Sequence, residues 1–113
     1  MKLLIAGGRD FTNFELLKEK ITQYYPKDIT EIVSGTANGA DRLGEQYGYC
    51  NCIPIKKFPA DWKIGKQAGM LRNEEMAKYC DCGLIFWDGK SHGTRNMIYL
   101  LSKHNKPFYV VKY

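Results

Sequence analysis

Short apolar runs alternate with amphipathic stretches along the whole chain, and this alternation restricts the fold more than any other feature. We read the apolar runs as buried strands, because stretches with helical spacing separate them. Strands that alternate with helices indicate a parallel sheet covered on both faces. We therefore predict one Rossmann-like α/β domain over residues 1–113, with a five-stranded, mainly parallel sheet in three layers. The predicted strands are Lys2–Ala6, Glu31–Ser34, Ile53–Phe58, Leu84–Trp87 and Phe108–Val111.

Local signals add detail at three places. Thr12 and Glu15 have the spacing of a capping box, which predicts that the first helix begins there. Pro54 cannot donate a ladder hydrogen bond, so an edge position is favoured for the third strand. A long connection over Pro59–Gly69 then leads into a third helix, predicted from about Met70 to Tyr79.

Glycine-rich polar loops follow three of the predicted strands, at Gly7–Asp10, Gly35–Asp41 and Asp88–Thr94. In an open parallel sheet, ligands bind at the carboxyl ends of the strands, near the point where the strand order reverses. Glycine lets the backbone approach a phosphate, and free N–H groups follow where Gly39-Ala40 and Gly93-Thr94 open helices. Tight turns alone would explain any one loop. Three loops at one sheet edge favour a nucleotide-like ligand.

An Arg-Asn pair on the third helix adds two candidates. Arg72 is suited to phosphate because its guanidinium donates two parallel hydrogen bonds. Asn73 shares a helix face with apolar residues and needs partners there, either in a neighbouring loop backbone or in a ligand. In the long connection, Trp62 is interpreted either as a stacking surface for a base or as a loop anchor. His92 is the histidine of the third loop.

The predicted ligand-binding residues come from the three loops, the strand end before the second loop and the Arg-Asn pair. The acidic members among them are candidates for ribose hydroxyls or for helix N-terminal charge. No catalytic residue is assigned at this stage. The predicted set is Gly7, Gly8, Arg9, Asp10, Ser34, Gly35, Asn38, Gly39, Asp41, Arg72, Asn73, Asp88, Gly89, Gly93 and Thr94.

Composition and charge narrow the class of protein. A formal net charge of +5 favours an anionic partner, with ordinary solubility as the alternative. The pairs Cys50/Cys52 and Cys80/Cys82 are spaced too closely for a usual zinc site, so we predict neither a metal site nor a cofactor. No apolar run approaches the roughly 20 residues of a membrane span, and the opening run is too short for a signal peptide. We expect a soluble, cytoplasmic protein without a membrane partner.

Taken together, several short segments resemble the small stand-alone proteins of the SLOG superfamily. That superfamily includes the DNA-processing protein A (Smf) family and the Lonely Guy nucleotide phosphoribohydrolases. The resemblance implies a Rossmann-like sheet that binds nucleotides or nucleotide-derived signals, and with topology rules it predicts the strand order 3-2-1-4-5. The segments are Gly7–Phe11, Ser34–Asp41, Phe58–Trp62, Gly69–Asn73 with Met76, and Gly93–Thr94 with Met97.

The resemblance leaves the activity open. The Lonely Guy enzymes carry Pro-Gly-Gly-x-Gly-Thr-x-x-Glu with a catalytic glutamate, and Met97 stands at that glutamate position here. The leading hypothesis is therefore a nucleotide-binding sensor or sequestering protein rather than an enzyme. The alternatives are a hydrolase of an N-glycosidic or phosphate bond, using Asp10, Asp41, Asp88 or His92, and single-stranded DNA binding as in DNA-processing proteins. A homodimer is also left open, because the relatives often dimerise.

Overall fold

A five-stranded, all-parallel sheet in the order β3-β2-β1-β4-β5 forms the centre of the computed structural model, which describes residues 1–65 and 67–113. The predicted strand order is confirmed, and the sheet is parallel throughout. Position 66 lies outside the described residues, within the long connection predicted from the sequence. The strands are β1 (Lys2–Gly7), β2 (Glu31–Ser34), β3 (Ile55–Lys57), β4 (Cys82–Trp87) and β5 (Phe108–Lys112).

Two helices cover each face of the sheet. The helices α1 (Phe14–Tyr24) and α2 (Ala40–Cys50) pack on one face, and α3 (Ala68–Tyr79) and α4 (His92–Lys103) pack on the other. The two cores alternate along β1, because successive strand residues point to opposite faces. Leu3 and Ile5 belong to the first core, whereas Leu4 and Ala6 belong to the second.

The start of α1 differs from the prediction. Asn13, and not Thr12, is the N-cap residue, because the Oδ1 atom of Asn13 accepts a hydrogen bond of 3.0 Å from the backbone N–H of Leu16. Asparagine caps helices as well as threonine does, so the sequence pattern did not separate the two neighbours. Phe11 just before them is buried and stacks on Phe86, with 4.4 Å between the ring centroids. This contact anchors the first loop to the end of β4.

The edge position of the third strand is also explained by its contacts. The strand is shorter than predicted and begins after Pro54, whose carbonyl accepts a hydrogen bond of 2.9 Å from Ile32 N–H. The missing N–H of Pro54 is not needed at this edge, since β2 is the partner on one side only. A 3-10 helix at Trp62–Ile64 lies in the long connection that follows.

Close packing of α2 on the central strand leads to the first testable prediction. A Cβ atom at Gly44 would lie 2.9 Å from both Cβ and Cγ2 of Ile5, which is fully buried in β1. Substitution Gly44→Ala should lower the free energy of unfolding by about 1–3 kcal/mol, because overpacking outweighs the gain in helix propensity. Urea denaturation measures the change. The matched substitution Gln46→Ala on the exposed side of α2 should change stability little. A Gly44→Ala variant as stable as the unmodified protein, or more stable, would contradict this close packing.

Candidate functional site

A cleft opens at the carboxyl edge of the sheet, between β1 and β4, where the strand order reverses. Its inner compartment has a volume of about 100 Å³ and lies beyond the ends of these two strands. Gly7, at the end of β1, lines it together with residues from the loops after β2 and β4. Met76 and Met97 bring apolar surface from α3 and α4. The cleft therefore occupies the position in which open parallel sheets bind ligands.

The first glycine loop has little room for side chains. A Cβ atom at Gly7 would lie 2.2 Å from the carbonyl oxygen of Phe86, and one at Gly8 would lie 1.8 Å from the hydroxyl oxygen of Tyr113. The carbonyl of Gly8 accepts a hydrogen bond of 3.2 Å from Ala40 N–H at the start of α2. Close packing against β4 and α2 thus accounts for Gly7, whereas Gly8 faces the Tyr113 side chain that follows β5, and of the two only Gly7 lines the cleft.

The start of α2 is a poor place for an anion. The Ala40 N–H is already used by Gly8, and Asp41 places a carboxyl group in the first turn. Gly39 has φ +79°, and a Cβ atom there would meet the carbonyl oxygen of Gly8 at 2.2 Å. Of the two helix N-termini that the sequence suggests as phosphate cradles, this one is therefore occupied by the protein's own groups.

The start of α4, in contrast, has unoccupied backbone N–H groups and no acidic side chain. Its first turn carries no acidic residue, and the N–H groups of His92 and Gly93 have no partner within the helix. Ser91 caps the helix by accepting a hydrogen bond of 3.4 Å from Thr94 N–H. Gly93 has open space in front of it, and both Gly93 and Thr94 line the inner compartment. The positive end of the helix dipole therefore faces the cleft.

Asp88 shapes the loop before α4. Its Oδ1 atom accepts hydrogen bonds of 2.8 Å from Lys90 N–H and 2.9 Å from Ser91 N–H. These backbone donors lower the pKa of Asp88 from its ordinary value. Gly89 provides the turn with φ +86°. Asp88 and Gly89 thus set the path of the loop and line none of the compartments of the cleft.

Two guanidinium groups converge on the cleft. Arg72 Nη1 donates to the carbonyl oxygen of Gly35 at 2.5 Å, and Arg72 Nε donates to Asn73 Oδ1 at 3.0 Å. Burial lowers the pKa of Arg72, while nearby Asp41 raises it and Arg9 lowers it. Arg9 is exposed at the same cleft, and its side chain has no hydrogen bond or ion pair with any described residue. A bound anion would neutralise this excess of positive charge.

Asn73 connects α3 to the start of α4. Its Nδ2 atom donates to the carbonyl oxygen of Gly93 at 3.4 Å and to Asn96 Oδ1 at 3.0 Å. Its Oδ1 atom accepts from Arg72, so every polar atom of this buried amide is used. The structure thus shows a backbone partner for Asn73 at the start of α4, and contact of this amide with a ligand stays a prediction. Its hydrogen bonds make it a group that positions Arg72 and α4.

Asp41 is the acidic residue among the described residues that line the cleft. It is 5% exposed, and its Oδ2 atom accepts a hydrogen bond of 3.2 Å from Ala37 N–H. Burial raises its pKa to about 6, against the opposing effects of the Ala37 N–H and of Arg72. The nearby Glu45 raises it further. A carboxyl group with this pKa can hold or release a proton near neutral pH.

Glu45 is a buried acidic residue that the sequence analysis missed. It is 5% exposed, and its Oε2 atom accepts a hydrogen bond of 2.6 Å from Ser34 Oγ. Ser34 is fully buried and faces α2, so it supports Asp41's helix and does not line the cleft. The available signal was the spacing of Asp41 and Glu45, which puts two carboxyl groups on one face of α2.

An outer compartment of about 360 Å³ adjoins the inner one and shares Arg9, Arg72, Asn73 and Gly93 with it. Its other walls come from residues at the starts of α3 and α4 and from the 3-10 helix. Trp62 is 59% exposed, which contradicts the interpretation of this side chain as a buried loop anchor. The remaining lining residues are Gly69, Met70, His92 and Asn96.

The predicted ligand-binding residues fall into two groups in the structure. The cleft has a third compartment, a side pocket of about 70 Å³ next to Arg9 and Arg72, which Gly35 lines. Those that line the cleft are Gly7, Arg9, Gly35, Asp41, Arg72, Asn73, Gly93 and Thr94. Those outside the linings are Gly8, Asp10, Ser34, Asn38, Gly39, Asp88 and Gly89. Asp10 instead accepts a hydrogen bond of 2.5 Å from the Tyr113 hydroxyl. Met70, Ser91 and Asn96 are lining residues that the sequence analysis did not select.

The cysteines lie away from the cleft. Cys50 and Cys52 are exposed, and Cys80 and Cys82 are buried, with no disulfide between them. Burial raises the pKa of Cys80 and of Cys82 to about 11, which keeps both thiols protonated. Among residues 1–65 and 67–113 there is no cluster of three or more His, Cys, Asp or Glu side chains that could hold a metal ion. Over the same ranges, no helix is long and apolar enough to cross a membrane.

Comparison with known families gives a match over the first part of the chain. The model of the YAcAr family, described as the YspA, cpYpsA-related SLOG family, matches residues 1–65, more than half of the 113 residues. The matched region includes the first two glycine loops and Trp62. No curated protein matches the chain.

The raised pKa of Asp41 leads to a prediction about stability. A carboxyl group whose pKa is about 6 in the folded protein and 3.8 ordinarily contributes stability below pH 3.8, and this is lost as the pH rises through 6. At about 1.4 kcal/mol per pKa unit, the loss is about 3 kcal/mol. The stability of Asp41→Asn relative to the unmodified protein should therefore rise between pH 4 and pH 7. Urea denaturation of both proteins at the two pH values measures this difference, and a constant difference would contradict the burial argument.

Proposed function

Since the chain belongs to the YspA, cpYpsA-related SLOG family, we propose that it binds a nucleotide or nucleotide-derived ligand and acts as a sensor or sequestering protein. Membership of the SLOG family is consistent with nucleotide-related binding. In this proposal the phosphate lies in the inner compartment and the remainder of the ligand extends into the outer compartment. The ligand thus occupies the cleft at the carboxyl edge of the sheet.

The observation that carries the proposal is the convergence of Arg9, Arg72 and the start of α4 on one small cavity. The N–H groups of His92 and Gly93 offer two hydrogen bonds to an anion at the positive end of the helix dipole. Arg72 is already held by Gly35 and Asn73, so it loses little conformational freedom on binding. Arg9 is free to close over the phosphate from the exposed side.

Size supports the division of the ligand between the compartments. The inner volume of about 100 Å³ is well below the range of about 300–1,000 Å³ that is typical of whole-ligand pockets, and suits a single phosphate group. The outer volume of about 360 Å³ is within that range and has room for a sugar and a base. A free sulfate or phosphate would use the inner part alone and bind more weakly.

Loss of either arginine tests the phosphate site. Arg72→Ala and Arg9→Ala should each weaken binding of a nucleoside monophosphate about ten- to a hundredfold, because a hydrogen bond to a charged group contributes about 1.5–3 kcal/mol. Isothermal titration calorimetry measures the dissociation constants. Arg42→Ala removes the same charge from an exposed position of α2 outside the cleft, and should leave binding unchanged. An equal loss of affinity in all three variants would mean that net charge, and not contact between the arginines and the phosphate, determines binding.

The same titrations separate nucleotide binding from binding to single-stranded DNA. A site for one phosphate predicts a weak dependence of affinity on salt, whereas an oligonucleotide that contacts several phosphates loses affinity steeply as salt rises. Binding only to oligonucleotides, with a steep slope, would replace the proposal by the DNA-binding alternative.

One observation favours a hydrolase as the second candidate. Asp41 lines the inner compartment with a pKa of about 6, as a general acid or base of this chemistry requires. Asp10 and Asp88, two other candidates for that role, lie outside the lining, and Met97 fills the position of the Lonely Guy glutamate with an apolar side chain. Of the two remaining candidates, Asp41 lines the inner compartment and His92 lines the outer one, so Asp41 is the one beside the proposed phosphate position.

Substitution Asp41→Asn distinguishes the two functions. For a binding protein, it should tighten nucleotide binding above pH 6, because a negative charge beside the phosphate is removed. For a hydrolase that uses Asp41, it should abolish release of base or phosphate while binding persists. Chromatographic assay of nucleotide mixtures with the unmodified protein and the Asn variant measures release. Release above background that is lost in the variant would favour the enzyme.

A further inference from the structure

We propose that the outer compartment binds the base of the nucleotide ligand and selects bases that carry an oxo group over bases that carry an amino group at the same ring position. The inference rests on the proposed function and deepens it. It follows from an exposed aromatic ring, from the direction of one chain of hydrogen bonds, and from the position of both beside the arginine site.

Trp62 supplies the flat surface. Its side chain is the largest exposed ring among the described residues of the compartment, and the edge of that ring lies against Gly69 at the start of α3. A Cβ atom at Gly69 would be 3.3 Å from Trp62 Cη2, so the absence of a side chain there lets the ring approach the helix. An indole that is seated at its edge but exposed elsewhere can stack on a base.

Arg72 determines which side-chain atoms of Asn73 and Asn96 donate hydrogen bonds and which accept them. A guanidinium Nε can only donate, so the Asn73 atom that it contacts at 3.0 Å must be the acceptor Oδ1. Asn73 Nδ2 is then a donor, and the Asn96 atom that it contacts at 3.0 Å must in turn be the acceptor Oδ1. Asn96 Nδ2 is therefore the donor left over, and no described residue accepts a hydrogen bond from it.

This free N–H₂ group gives the compartment its selectivity. Asn96 lines the outer compartment and is partly buried, so a base that lies on Trp62 meets an amide donor at its edge. An oxo group accepts a hydrogen bond from that donor, whereas an exocyclic amino group presents N–H to N–H and leaves both unpaired. Unpaired donors cost more than the hydrogen bond itself contributes, which is why such sites discriminate.

The two compartments are close enough for one ligand. The Cβ position of Gly69 lies 3.3 Å from the Trp62 ring and 3.9 Å from Arg72 Nη2, so the aromatic surface and the guanidinium flank the same residue. Arg9, Arg72 and Gly93 line both compartments. A nucleoside monophosphate with its phosphate at α4 can thus place its base on Trp62.

Matched nucleotide pairs test the selectivity. Inosine and adenosine monophosphates share the purine frame, and uridine and cytidine monophosphates share the pyrimidine frame. The members of each pair differ in an oxo or an amino group and in the adjacent ring nitrogen, which carries a hydrogen beside the oxo group and is an acceptor beside the amino group. Calorimetric titration of the full chain should give dissociation constants about three- to tenfold lower for the oxo member of each pair, as expected for one hydrogen bond. Equal affinities, or tighter binding of the amino members, would overturn the inference while the phosphate site stands. Absence of binding by all four nucleotides would overturn the proposed function as well.

Substitutions in the compartment provide the second readout. Asn96→Asp keeps the acceptor for Asn73 and replaces the free donor by a second oxygen, so the preference for oxo bases should be lost or reversed. The ratio within each pair is the quantity compared, because the added charge weakens both members alike. Trp62→Ala should weaken all four nucleotides about tenfold while inorganic phosphate binds unchanged. Tyr99→Ala, an exposed aromatic of α4 outside the compartments, should change neither. An unchanged ratio in the Asp variant would overturn the inference.

Discussion

The hydrogen bonds of Arg72 and Asn73 are the interaction on which the arrangement of the cleft depends. Two consecutive side chains of α3 reach the loop after β2, through the Gly35 carbonyl, and the start of α4, through Gly93 and Asn96. The parallel sheet brings these elements to one edge but does not set the distances between them. Leaving a buried amide or guanidinium unpaired costs more than a single hydrogen bond contributes, so the network holds the loops in one arrangement.

Charge gives the cleft its chemical character. Two guanidinium groups and the start of α4 are opposed by one buried carboxyl group, Asp41, whose pKa rises to about 6 because water is excluded from it. Near neutral pH the cleft therefore carries net positive charge. The start of α2 is closed to anions by the same Asp41 and by the Gly8 carbonyl, whereas the start of α4 faces the inner compartment without an acidic residue in its first turn.

Much of this arrangement could be predicted from local patterns. The alternation of buried strands and amphipathic helices predicts the parallel sheet, and topology rules together with the SLOG resemblance predict the observed strand order. The roles of individual polar residues were less predictable. Asp88 is in the loop between β4 and α4, beside the cleft edge of the sheet, yet its carboxyl group accepts hydrogen bonds from two backbone N–H groups. Ser34 is the last residue of β2, at the carboxyl edge of the sheet where the cleft lies, yet its hydroxyl group donates a hydrogen bond to Glu45. Such residues and true ligand contacts share the same sequence signal.

The sequence by itself determined the class of fold, the edge of the sheet at which the cleft lies, and the loops and the Arg-Asn pair that surround it. These follow from hydrophobic periodicity and from the rule that parallel strands end at a common edge. Only the tertiary structure decided which helix start is free, which carboxyl group is buried in the cleft, and that Trp62 is exposed beside Arg72. Those properties depend on contacts between residues far apart in the chain, where burial and hydrogen-bond partners, rather than residue type, determine what a side chain can do.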